Sequence, residues 1–124
     1  MSRILVVEDD SNLRVVIRMV LERAGHEVVE ASHGAEALES IGVEMPDLVI
    51  ADLKMPVMSG VELIDRIQAT AATASLPIVL LSGFQVDSAV SRLVNAVVLK
   101  PFEPADLLAS IDRALRADSG ELVP

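Results

Sequence analysis

Short apolar runs alternate with stretches of helical period along the whole chain. The runs are RILVV (3–7), HEVVEA (26–31), DLVIA (47–51), PIVLLS (77–82) and AVVL (96–99). Three of them are almost wholly apolar, as parallel strands covered by helices on both faces should be. The second alternates more, which suits a sheet edge. After the first run, Leu13, Val16, Ile17, Val20, Leu21 and Ala24 recur at helical spacing until Gly25 stops them. Leu107, Leu108, Ile111 and Leu115 form a similar stripe behind Pro104. Ser59 and Glu62 have the spacing of a capping box and open a helix that runs to Thr70. Shorter helices are expected over 35–41 and over 86–94, the latter with Val86, Val90, Leu93 and Val94 as its stripe. The pattern predicts one α/β domain, a doubly wound five-stranded parallel sheet flanked by five helices. Such sheets place their sites at the carboxyl ends of the strands, where the strand order reverses.

Composition narrows the function classes. The 124 residues suit one domain. No apolar stretch approaches the roughly 18 residues of a membrane span, and no export signal opens the chain, so a cytoplasmic, non-membrane protein is expected. The absence of cysteine excludes disulfides and thiolate metal sites. A formal charge of −9, with no Trp or Tyr and two Phe, argues against direct nucleic-acid binding. The tail DSGELVP (118–124) has loop composition and ends like a protease-site tag, which sets the domain at 1–117.

The residues that follow the strands supply candidate chemistry. Glu8, Asp9 and Asp10 follow the first, Asp52 the third, Ser82 the fourth and Lys100 the fifth. Taken singly, each has a structural explanation: Asp10 or Ser11 capping the first helix, Asp52 starting a turn, Ser82 capping the fourth helix, Lys100 solvated. Together, Glu8, Asp9 and Asp52 bring three negative charges to one rim, which a divalent cation and Lys100 would balance. An all-oxygen site with room for water suits Mg²⁺. A carboxylate beside Mg²⁺, an ammonium and a hydroxyl is equipped to accept a phosphoryl group, since that transfer is mostly positioning and charge compensation.

In order, the segments ILVVEDD with LR following, DLVIADLKMPVMSG, LLSG and LKPF resemble the receiver domain of bacterial two-component response regulators, over nearly the whole chain. The resemblance implies a flavodoxin-like sheet of order 2-1-3-4-5. It also implies that Asp52 accepts a phosphoryl group from a sensor histidine kinase or a histidine-phosphotransfer protein. Asp9 would ligate Mg²⁺ directly and Glu8 through water, with the backbone carbonyl of Lys54 as a further ligand. Ser82 would be the switch hydroxyl and Lys100 the matching lysine, aimed inward by a cis bond to Pro101. Such a domain catalyses only its own phosphorylation and dephosphorylation and shifts a partner-binding surface. The alternative is a pseudo-receiver that is never phosphorylated and serves as a protein interaction module.

Several positions depart from the family pattern. Val97 stands where an aromatic residue is usual, three before the lysine, and Ser82 and Lys100 are only eighteen positions apart. The fourth helix or its loops must therefore be short. Lys54 and Phe84, each two positions beyond a site residue, border the acceptor, and a bulky Phe84 either slows attack by water or merely packs on the loop. Arg14 and Arg18 either dock a phosphotransfer partner or form a solvated helix face. His26 and His33 read as solvated loop residues, and Met55-Pro56 as the turn after Asp52.

Overall fold

The computed structural model describes residues 2–55 and 57–118. Five strands, β1 (Arg3–Val7), β2 (Glu27–Ala31), β3 (Leu48–Asp52), β4 (Ile78–Ser82) and β5 (Ala96–Leu99), form one parallel sheet of order β2-β1-β3-β4-β5. The helices are α1 (Ser11–Arg23), α2 (Gly34–Val43), α3 (Gly60–Gln68), α4 (Ser88–Ser91) and α5 (Pro104–Asp118). The expected doubly wound architecture and strand order are both observed, with the reversal between β1 and β3. β2 is an edge strand, as its alternation implies.

Strand periodicity divides the core into two layers. Ile4, Val6, Leu48, Ile50, Val79 and Leu81 face α1 and α5, where they meet Ile17, Leu21, Leu107 and Ile111. Leu5, Val7, Val49, Ala51 and Leu80 face the other way, onto Ala37 and Ile41 of α2 and Leu63, Ile64 and Ile67 of α3. Burying each large aliphatic side chain contributes about 1.5–3 kcal/mol. All five residues of β3 are buried, so its terminal carboxylate is delivered from the centre of the molecule.

Capping sets the helix starts. Asp10 caps α1 by accepting from the Asn12 and Leu13 amides, and Ser59 caps α3 by accepting from the Glu62 amide. His33 is exposed in the loop before α2, as expected, and also caps that helix, its Nδ1 accepting from the Glu36 amide at 3.1 Å. His26 is half-buried rather than solvated. Val16 and Ala24 leave the expected α1 stripe: both are exposed, and only Ile17 and Leu21 of it are fully buried.

α4 is a single turn, short as the Ser82–Lys100 spacing requires, and does not fill the helix expected over 86–94. Asp87, not Ser82, caps it, which moves its start beyond Val86. Its end is held by α3 and by the sheet: Gln68 Nε2 of α3 donates to the Leu93 carbonyl at 2.7 Å, and Asn95 exchanges hydrogen bonds with Ile78 of β4. Val86, Val90, Leu93 and Val94 still pack against the core, but across a turn-rich segment. Pro56 and the tail from 119 onward lie outside the described residues.

Candidate functional site

Four strand ends converge on the acceptor candidate. Asp52 closes β3 opposite Leu81, and Lys100 follows β5 directly, its amide donating to the Ser82 carbonyl at 2.7 Å. Glu8 follows β1, its amide donating to the Ala31 carbonyl of β2 at 3.0 Å. Gly60 allows the closest approach: a Cβ there would lie 2.4 Å from the Asp52 carbonyl oxygen, so the first turn of α3 packs directly on the end of β3.

The Lys100 ammonium donates to Asp52 Oδ2 at 2.8 Å and lies 3.6 Å from Glu8 Oε1. The bond from Lys100 to Pro101 is cis. Glu8 and Asp52 are 1% and 5% exposed, while Asp9 is exposed. Carboxylate oxygens of Glu8, Asp9 and Asp52 lie within 4.8 Å of one another. Burial, reinforced by the Asp52 charge, pushes the Glu8 carboxyl up to about 7, against the opposing Asp10 amide hydrogen bond and the Lys100 charge. For Lys100, burial pulls the ammonium down, but its hydrogen bond to Asp52 and the Glu8 and Asp52 charges outweigh it and hold the group above its ordinary value.

These residues fit a hard divalent cation. The donors are all oxygens, Lys100 pairs with only Asp52 and Glu8 of the three carboxylates, and Glu8 Oε1 is buried without a hydrogen-bond partner. Neither histidine belongs to this cluster. Asp10 is occupied as the helix cap, its structural role.

Ser82 is buried, and its hydroxyl donates to the Phe84 carbonyl at 2.5 Å while accepting from the Phe84 amide at 3.2 Å. Phe84 itself is 49% exposed, and Lys54 Nζ sits 5.0 Å from the centre of its ring. A cavity of ≈ 220 Å³ lies between them, lined by Asp52, Leu53, Lys54, Gly83, Phe84 and Lys100. Val97 is half-buried against the core.

Arg14 and Arg18 are not a free basic face. Arg14 Nε and Arg18 Nη1 donate to the two oxygens of Glu30 on β2, at 3.0 and 2.9 Å. Arg14 also donates to the Glu8 carbonyl. Sequence reasoning noted the LR pair but missed this contact, because Glu30 lies twelve and sixteen positions away on another strand.

The family model of the response regulator receiver domain matches residues 4–112. The chain belongs to this family. As a receiver domain it is similar to a chemotaxis protein CheY homolog of Campylobacter jejuni, 34% identical over 96% of each chain. It is also 33% identical to the phosphate regulon transcriptional regulatory protein PhoB of Pseudomonas aeruginosa, covering 91% of this chain but 51% of that one. A solved receiver domain protein from Clostridium thermocellum superposes with a TM-score of 0.88 at 27% identity, covering 98% of this chain and all of the other. The receiver domain is thus a signalling module, not a classical enzyme, and among the described residues no helix is long and apolar enough to cross a membrane.

Proposed function

We propose that this receiver domain, residues 1–117, is a phosphoacceptor in a cytoplasmic two-component phosphorelay. The observation that carries the reading is the convergence of the Asp52 carboxylate, the Lys100 ammonium and two further carboxylates at one rim. Asp52 supplies the attacking oxygen; a P–O bond forms as the bond to the phosphohistidine nitrogen of a sensor kinase or phosphotransfer protein breaks. Lys100, already 2.8 Å from Asp52, compensates the charge of the arriving phosphoryl group. Ser82 exchanges its Phe84 carbonyl acceptor for a phosphoryl oxygen. Asp9, Asp52, the Lys54 carbonyl and, through water, Glu8 would hold Mg²⁺. When bound, the ion would neutralise negative charge that Lys100 alone leaves uncompensated. Phosphorylation then biases a partner-binding surface between two states.

A pseudo-receiver that acts only as an interaction module is the second reading, favoured by the one-turn α4 and by Val97, which has no ring to rotate. One measurement separates the two. The protein is incubated with a small phosphodonor and Mg²⁺ and weighed intact. A gain of one phosphoryl group that is absent in Asp52→Asn supports the first reading. No gain in the wild type, or a gain that persists in Asp52→Asn, overturns it.

A further inference from the structure

The turn between β1 and α1 carries two of the three carboxylates, and a side chain outside that cluster grips it. Arg14, one turn into α1, donates from Nη1 to the Glu8 carbonyl oxygen at 2.6 Å. The same guanidinium donates from Nε to Glu30 Oε1 at 3.0 Å, and Arg18 Nη1 holds the other Glu30 oxygen at 2.9 Å. Side-chain exposures of 18% for Arg14 and 29% for Glu30 leave these charge-assisted bonds partly desolvated, where they are strongest.

The grip matters because of which carbonyl it takes. The Glu8 carbonyl belongs to the planar peptide unit that joins Glu8 to Asp9, so fixing its direction fixes the rotation of both residues about that plane. The Glu8 amide is tied to β2 directly through Ala31, and its carbonyl is tied to β2 indirectly through Arg14 and Glu30. We infer that Arg14 is a positioning residue for the acidic pocket: braced by Glu30, it sets the peptide between Glu8 and Asp9 and so the direction in which both carboxylates face a divalent cation. The inference rests on reading that pocket as a cation site. A lysine cannot replace the guanidinium, because a point ammonium does not reproduce a planar fork that reaches Glu30 and the Glu8 carbonyl at once.

Electrostatics alone gives the opposite sign, which makes the proposal decidable. Removing a positive charge beside a cation site strengthens cation binding if charge is all that Arg14 contributes. Loss of positioning weakens it, by about tenfold or more in analogous supporting shells.

The test is isothermal titration of the full chain with Mg²⁺, for the wild type, Arg14→Lys, Arg14→Ala and Arg18→Ala, with urea unfolding followed by circular dichroism on each. Both Arg14 variants are expected to bind Mg²⁺ about tenfold more weakly, and Arg18→Ala within about twofold of the wild type, although it also strips a partner from Glu30. Should Arg14→Ala fail to fold, Arg14→Lys keeps an ion pair to Glu30 and decides the question. Arg14→Lys binding as tightly as the wild type overturns the inference, as does an equal loss in Arg18→Ala. A wild type that binds no Mg²⁺ defeats the cation-site reading itself, a result distinct from either.

Discussion

Glu8→Gln should stabilise the metal-free protein at neutral and alkaline pH and do little in acid. Glu8 is buried, and its carboxyl sits at about 7 instead of 4.5. The folded state therefore keeps a proton that the unfolded state gives up. Ionising the group costs nothing extra below 4.5, costs progressively more as pH rises from 4.5 to about 7, and the full penalty holds above that. The rise from 4.5 to about 7 corresponds to about 3 kcal/mol at 1.36 kcal/mol per pH unit. Glutamine keeps the shape and an oxygen to accept the Asp10 amide, now at 3.1 Å, but carries no charge. The variant should exceed the wild type by about 3 kcal/mol at pH 8 and match it within about 0.5 kcal/mol at pH 4.5. With no Trp or Tyr in the chain, urea unfolding followed by far-ultraviolet circular dichroism is the suitable assay. Mg²⁺ should then narrow the gap at pH 8 by raising the wild type more than the variant. Parallel stability curves for the two proteins across this pH range would refute the account of Glu8.

Three further outcomes follow from local geometry. Gly60→Ala puts a Cβ 2.4 Å from the Asp52 carbonyl oxygen, so it should cost about 1–3 kcal/mol in urea unfolding and slow phosphoryl uptake by intact mass. Val57 is fully exposed at a φ of 70°, so Val57→Gly should raise stability by about 0.5–1 kcal/mol; a lower Tm would contradict that strain. Phe84→Ala opens the rim of the Asp52 cavity and should shorten the life of the phosphorylated protein, measured as mass loss over time, whereas slower loss in the variant would reverse the assignment.

The sheet and the pocket were legible because both follow from position along strands. Ile4, Leu48, Leu80 and Val98 sit in apolar runs whose ends carry Glu8, Asp52, Ser82 and Lys100, and parallel pairing brings those ends to one edge. What could not be read depends on contacts distant in sequence. Glu30 capturing Arg14 and Arg18 crosses from strand to helix, and Gln68 reaching the Leu93 carbonyl ties α3 to a segment twenty-five positions on. Val86, Val90, Leu93 and Val94 have helical spacing, yet β-branched residues and serines hold a helix weakly, and the Asp87 cap and Asn95 confine it to one turn. His33 was missed as a cap because imidazole is an uncommon one.

From Gly83 to Asn95, between β4 and β5, no residue is buried. Opening this stretch frees only the half-buried Val86, Val90, Leu93 and Val94 from the core, so its local opening free energy lies well below that of global unfolding, and its amides should be among the first to exchange with solvent. Ser82 fastens its start through Phe84, and Gln68 on Leu93 with Asn95 on Ile78 fastens its end to α3 and β4. A hydroxyl that changes partner redistributes about 1 kcal/mol per hydrogen bond, too little to move α1 or α3 off a closed core but comparable to the cost of rearranging this strip. If Asp52 is the phosphoacceptor proposed above, the size of its trigger matches the softest part of the surface, and a ring that flips between two rotamers is not needed for that match.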